Sequence, residues 1–205
     1  MKQLNFLNTI DTMSNNDEKL KIESGYVKEN RGKTAIKRKE ISKPLKELLK
    51  RGSLEGNKTI LDNGCGFGID FNYLKQLNYE AYGFDKFQEK FNQNDFLLNN
   101  TYDVVLSTFV INTIDDKKEI EEYIKQAFAM TNKKLIISVR MDKKAVKENW
   151  IQLEDGGYIT SLKTYQKFYT KESIKKLIEN TLHIRLNKEN CLQFGETTII
   201  NKECL

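Results

Sequence analysis

Seven residues, Asp62-Asn63-Gly64-Cys65-Gly66-Phe67-Gly68, set an acid ahead of a loop with glycine at every second position. The apolar pair Ile60-Leu61 leads into them, and a second acid, Asp85, closes Glu80-Ala81-Tyr82-Gly83-Phe84. Two acids at the ends of adjacent parallel strands, with a glycine loop after the first, form the layout of a nucleotide-cofactor site. Spacing decides which cofactor. A dinucleotide fingerprint needs G-x-G-x-x-G. Here Ile69 stands where the third glycine belongs, and Gly68 comes one residue early. Asp62 would repel a pyrophosphate, whereas it suits a ligand carrying positive charge.

Asp62 to Gly68 match D/E-x-G-x-G-x-G in full, and Asp85 matches an acid ending the next strand. Tyr102 to Ile114 and Lys134 to Arg140 look like two later strands of the same pattern. In these residues, over roughly 57 to 140, the chain resembles the class I S-adenosylmethionine (SAM) methyltransferases. The resemblance implies an α/β fold: a three-layer α/β/α Rossmann-like sandwich, with a mostly parallel sheet and an antiparallel last strand. It implies SAM as cofactor and a methyltransferase activity. It sets Gly64, Cys65, Gly66 and Gly68 in the cofactor loop, with Asp62 near the positive amino end of SAM. Asp85 would accept from both ribose hydroxyls, Asn94 or Asp95 would meet the adenine amino group, and Ser107 and Thr108 would flank the methionine end. The glycines let backbone N–H groups approach the ligand, and the helix after Gly68 points its positive end at the methionine carboxylate.

A narrower resemblance rests on Gly32 to Lys39 with Ser42-Lys43-Pro44, on Asp155 to Thr160, and on Tyr165 to Thr170. These segments resemble the methyltransferases associated with DNA phosphorothioation systems, over about residues 32 to 180, although those proteins are often longer. Charge points the same way. Between Lys28 and Arg51 ten bases meet three acids, a net +7, which leaves the rest of the chain at −2 against a total of +5. A basic stripe on a near-neutral body is a footprint for DNA or RNA, with Lys33, Lys37, Arg38 and Lys39 at its centre. A solvated helix face with a basic linker is the alternative. The run Lys163 to Lys171 alternates bases with aromatics, so Tyr165, Lys167 and Tyr169 are candidates to stack bases and hold phosphates. Inward-packed aromatics are the duller reading of that run.

Methyl transfer needs alignment of a nucleophile with the methyl group more than it needs a catalytic triad. The segment Thr108-Phe109-Val110-Ile111-Asn112-Thr113 should face the acceptor, which makes Asn112 and Thr108 the candidate catalytic residues. Asn112 would orient an acceptor amine or hydroxyl, or else cap the next helix. The segment lacks the [D/N/S]-P-P-[Y/F] of amino-methylating DNA enzymes, and the only proline, Pro44, excludes a Pro-Cys nucleophile. His183, the only histidine, reads as structural. The expected activity is methyl transfer to a nucleic acid or a component of one. The alternatives are a small-molecule methyltransferase and a non-catalytic SAM-binding module.

The remaining elements must carry these residues. A chain of 205 residues, 31% charged and 39% apolar, fits one globular domain. A polar arm is expected over residues 1–30, then a single domain over 31–205. That domain has a basic helical lead-in over 31–56 and a substrate-side insert over about 141–170. No run reaches the roughly eighteen apolar residues of a membrane span, and Cys65, Cys191 and Cys204 have neither disulfide nor metal spacing. A cytoplasmic location without metal or membrane is expected. Helices are predicted from Ser42 or Pro44 to Gly52, over Ile69–Leu77 with Phe71, Leu74 and Leu77 inward, over Asp116–Met130 and over Lys171–Asn180. Strands are predicted at Thr59–Asp62, Glu80–Phe84, Tyr102–Ser107 and Lys133–Val139, with an antiparallel pair Leu182–Leu186 and Thr197–Ile200. Only a shortened helix fits between Asp85 and Asn100.

Overall fold

The computed structural model describes residues 30–205. The expected arm lies outside them except for Asn30. The first regular element is helix α1, Lys43–Lys50. Ser42 caps it by accepting the Leu45 N–H at 3.2 Å, and Pro44 occupies the first turn, where its missing N–H costs nothing. Gly52, at φ +64°, lets the chain turn away after the helix. Leu45 and Leu48 are buried.

The main sheet is built from β1 (Thr59–Asn63), β2 (Glu80–Phe84), β3 (Tyr102–Thr108), β4 (Thr131–Ser138), β8 (Cys191–Phe194) and β9 (Thr197–Asn201). They lie in the order β2-β1-β3-β4-β9-β8. The first four are parallel, and β9 runs antiparallel to both β4 and β8. Central strands are apolar on both faces because helices cover both sides. Ile60, Val104, Leu106 and Ile136 pack towards α1 and helix α2 (Ile69–Gln76). Leu61, Val105, Leu135 and Ile137 pack on the other side against helix α4 (Lys117–Ala129) and helix α5 (Lys171–Leu182). This is the expected three-layer sandwich. Between β2 and β3 the chain has room only for a single turn, α3 (Glu89–Asn92), and a 3-10 turn over Asp95–Asn99.

Two expectations are corrected. Leu182–Leu186 is not a strand, because α5 continues to Leu182 and His183 ends it in a left-handed cap at φ +54°. The partner of β9 is β8, joined to it by a tight turn at Gly195-Glu196. Leu77 is exposed, because α2 ends at Gln76 and the chain reverses at Asn78, φ +65°.

The insert after β4 forms a small antiparallel sheet of β5 (Ile151–Gln152), β6 (Tyr158–Ile159) and β7 (Tyr165–Gln166). It is tied to the main body by two backbone bonds: Lys167 N–H donates to the Asn112 carbonyl at 2.8 Å and Tyr169 N–H to the Arg140 carbonyl at 2.9 Å.

Candidate cofactor and acceptor site

A cavity of about 760 Å3 opens at the carboxyl ends of β1, β2 and β3. Strands β2 and β3 flank β1 there, the place where α/β sheets bind ligands. Its volume lies within the usual range for small-molecule sites.

One end is built from the glycine loop and the end of β2. Gly64 and Cys65 both donate their N–H groups to the Phe84 carbonyl, at 2.7 and 3.0 Å. Asp85 accepts the Gly66 N–H at 2.8 Å with one carboxylate oxygen and the Phe87 N–H at 2.9 Å with the other. The first three amides of the loop are therefore engaged within the protein, where the sequence suggested they would face the ligand. Gly64 and Cys65 fix the end of β2 through the Phe84 carbonyl, while Gly66 and Phe87 hold the Asp85 carboxylate in the cavity wall. Gly64 sits at φ +93°, and a Cβ there would lie 2.2 Å from Val110 Cγ2. Only glycine lets the loop after β3 pass so close.

Of the ten expected cofactor residues, Gly64, Cys65, Gly66, Asp85, Asp95 and Thr108 line the cavity. Four do not. Gly68 serves packing instead: a Cβ there would meet Phe71 at 2.6 Å and Phe91 at 2.8 Å, two rings in edge contact. Asn94 faces the opposite way from Asp95 and donates to the Gly83 carbonyl at 3.1 Å. Ser107 is fully buried, with its Oγ 2.9 Å from the Tyr123 hydroxyl. Asp62 lies beneath the floor, 2% exposed. Burial holds its carboxyl well above the usual carboxylate range; repulsion from Asp70 and Asp85 adds to this, and Arg38 opposes it. Burial likewise pushes the Cys65 thiol up, so it stays a protonated packing group.

The strap from Arg31 to Ser42 crosses one wall. Arg31 is 5% exposed and its guanidinium bridges Asp115 and Glu119. Gln88 Nε2 donates to the Gly32 carbonyl at 2.9 Å. Arg38 lies 3.5 Å from the buried Asp70, which also accepts the Ser42 N–H at 2.8 Å. The Lys37 ammonium sits 5.4 Å over the Phe67 ring. Arg31 and Arg38 are thus turned to intramolecular work, whereas Lys33, Lys37 and Lys39 are exposed.

The other end of the cavity contains Thr108, Phe109, Val110, Asn112, Arg140 and Gln166. Asn112 is fully buried, and neither Nδ2 nor Oδ1 has a hydrogen-bond partner. Phe109 takes φ +63°, a strained value for an aromatic residue, and its N–H is held by the Ser138 carbonyl at 2.8 Å. Its ring lies under the Arg140 guanidinium, 5.3 Å from centroid to Cζ. Neither Arg31 nor Arg140 carried a local signal for its place in the cavity wall. Tyr123 of α4 also lines the cavity, and its hydroxyl donates to the Asn63 carbonyl at 2.8 Å.

In the run at 163–171 the inward-packed alternative is the one observed. Tyr165 and Tyr169 are 2% and 8% exposed, so neither offers a ring face to a base. The Tyr165 hydroxyl donates to Asp155, and Lys167 pairs with the same carboxylate at 3.2 Å. Among the described residues no cluster could hold a metal ion, and no helix is long and apolar enough to cross a membrane.

A family model for the methyltransferase domain matches residues 34–181. Comparison with curated proteins finds no match. Solved structures share the fold. The 1,6-didemethyltoxoflavin-N1-methyltransferase of Burkholderia thailandensis aligns at 13% identity over 78% of this chain and 75% of its own, with a TM-score of 0.53. A protein from Pyrococcus horikoshii aligns at 14% over 77% and 88%, TM-score 0.55. An amino pentose methyltransferase from Micromonospora echinaspora aligns at 10% over 78% and 90%, TM-score 0.51. With the family model spanning most of the chain, from the strap through the glycine loop to α5, this protein belongs to the methyltransferase domain family.

Proposed function

We propose that the protein transfers a methyl group from SAM to a small-molecule acceptor enclosed between the glycine loop and the insert. The observation that carries this reading is the two-ended cavity. Asp85 and Asp95 line one end, and the orphaned Asn112 amide with Arg140 lines the other. Asp85 is suited to the paired hydroxyls of a ribose, and Asp95 to an exocyclic amine. Asp62, buried below the loop with its carboxyl held well above the usual range, would ionise against a bound ammonium or sulfonium, since an opposite charge nearby favours the charged form. Bound SAM supplies an electrophilic methyl group on a sulfonium whose departure leaves a neutral thioether. The protein's part is to align the acceptor lone pair with that methyl group and to keep water out.

Two known structures of this fold are named as methyltransferases of a toxoflavin precursor and of an amino pentose, both small molecules. A nucleic-acid acceptor is the second reading, favoured by the exposed Lys33 and Lys39 and by the narrower resemblance. It has less support, because Tyr165 and Tyr169 are buried and Arg31 and Arg38 are paired internally.

Calorimetric titration with SAM, with its demethylated product S-adenosylhomocysteine (SAH) and with NADH tests the cofactor. Micromolar binding of SAM or SAH without NADH is expected. Binding of NADH instead, or of none of the three, would overturn it. Salt-sensitive binding of DNA or RNA would favour the second reading for the acceptor.

A further inference from the structure

We infer that the far end of the cavity recognises a small carboxylate-bearing acceptor, with Arg140 holding the carboxylate and Asn112 holding the hydroxyl or amine that is methylated. This rests on the cofactor reading above and goes beyond it by naming the acceptor class.

Three observations converge. The first is Asn112. A fully buried amide with both polar atoms unpartnered is costly, because each group has lost its water and gained nothing in return. Asn112 belongs to the lining of the cavity, so a ligand is what can satisfy its amide once the side chain turns into that space. An amide offers one acceptor and one donor face, and the groups that match both are O–H and N–H.

The second is Arg140. Among the described residues it forms no ion pair, unlike Arg31 and Arg38 in the same cavity. Its guanidinium lies over the Phe109 ring, with Cζ 5.3 Å from the centroid. A guanidinium edge presents a planar fork that matches a carboxylate in two parallel hydrogen bonds. The other charged groups of the cavity are the Arg31 cluster with Glu119, Arg38, Asp85, Lys86, Asp95 and Glu122. Asp85 is tied to the glycine loop, and Arg31, Glu119 and Arg38 are paired.

The third is that the fold holds the two residues side by side. Their carbonyls accept from Lys167 and Tyr169 of one segment, whose N–H groups can be at most about 7 Å apart. Strands β3 and β4, in register at Thr108 and Ser138, bring both residues to the same end of the sheet, and the insert ties their carbonyls. A carboxylate and a hydroxyl separated by a short aromatic or aliphatic spacer fits that pair.

In the transfer, Asn112 Oδ1 accepts the acceptor's X–H and leaves its lone pair free to form the new bond to the methyl carbon. The carbon–sulfur bond breaks, and its electron pair stays on sulfur. The acceptor proton leaves to water.

The test is titration of the purified protein, with and without saturating SAH, with 4-hydroxybenzoate, benzoate, phenol and 4-hydroxybenzamide, and with 4-hydroxybutanoate and 1,4-butanediol as the aliphatic pair. In the SAH-loaded protein at least one hydroxy acid is expected to bind at least tenfold more tightly than its neutral partner. Arg140→Gln should erase that preference while SAH affinity stays unchanged, and Arg140→Lys should retain part of it. Asn112→Ala should bring the hydroxy acid to the level of the plain carboxylate. Neutral compounds binding as tightly as the acids, no carboxylate binding, or an unchanged preference in Arg140→Gln would overturn the proposal. Failure of SAH to bind the wild-type protein would strike the cofactor reading separately, and the titrations without SAH still report on Arg140.

Discussion

Replacing Gly64 by alanine tests why the glycine loop is a glycine loop. Two costs are visible in the structure. The residue sits at φ +93°, where a side chain is strained by about 1–3 kcal/mol. The new Cβ would lie 2.2 Å from Val110 Cγ2, more than about 1 Å inside an ordinary carbon contact. Valine cannot readily turn away, because its branched Cβ leaves few rotamers. Overpacking of this kind costs about 1–3 kcal/mol. The expected loss is therefore about 2–6 kcal/mol, read by urea unfolding of the protein without ligand. The two parts separate in a double-mutant cycle. Val110→Ala removes the clash and leaves the backbone strain, so Gly64→Ala and Val110→Ala together should be less damaging than their sum by about 1–3 kcal/mol. A coupling within about 0.5 kcal/mol of zero would refute the steric argument. It would mean that the loop and the segment after β3 can move apart freely, and with it the wall between the two ends of the cavity would lose its rigidity.

Three further outcomes follow from the same geometry. Asp85→Ala should weaken SAH about a hundredfold or more by calorimetry, since two hydrogen bonds to a charged carboxylate contribute roughly 1.5–3 kcal/mol each; unchanged affinity would remove Asp85 from the ribose. Arg31→Met should lower stability by about 1–3 kcal/mol in urea, below the value for a fully buried cluster because Asp115 and Glu119 are 19% and 32% exposed, and a loss under about 0.5 kcal/mol would show that the strap is not pinned there. Asp62→Asn concerns pH. A carboxyl raised by burial favours the folded state fully below the ordinary range near 4, and that contribution is lost as pH rises through the raised value. The ligand-free protein should therefore lose stability from about pH 4 towards neutral, and Asp62→Asn should flatten the slope while weakening SAM; equal slopes in the two proteins would show that Asp62 does not titrate in that window.

What the sequence determined by itself is what short-range chemistry carries. Alternate glycines, a strand-end acid and runs such as Val104-Val105-Leu106 marked the loop, Asp85 and the buried strands, because backbone permissiveness and burial on both faces restrict residue type locally. Ser42 and Pro44 marked a helix start for the same reason. Tertiary structure decided which side chains reach the cavity. Asn94 and Asp95 are neighbours that face opposite ways, and Gly68 answers to two phenylalanine rings and not to the cofactor cavity. The basic stripe read as a free surface, yet Arg31 and Arg38 find acids at positions 115, 119 and 70, partners that no local pattern announces. Asn112 and Arg140 stand 28 positions apart in sequence and come to the same end of the sheet because β3 and β4 pair in parallel, with the insert returning to bind both carbonyls. Residue type is a local choice; who faces whom is set by the crossing of elements far apart in the chain.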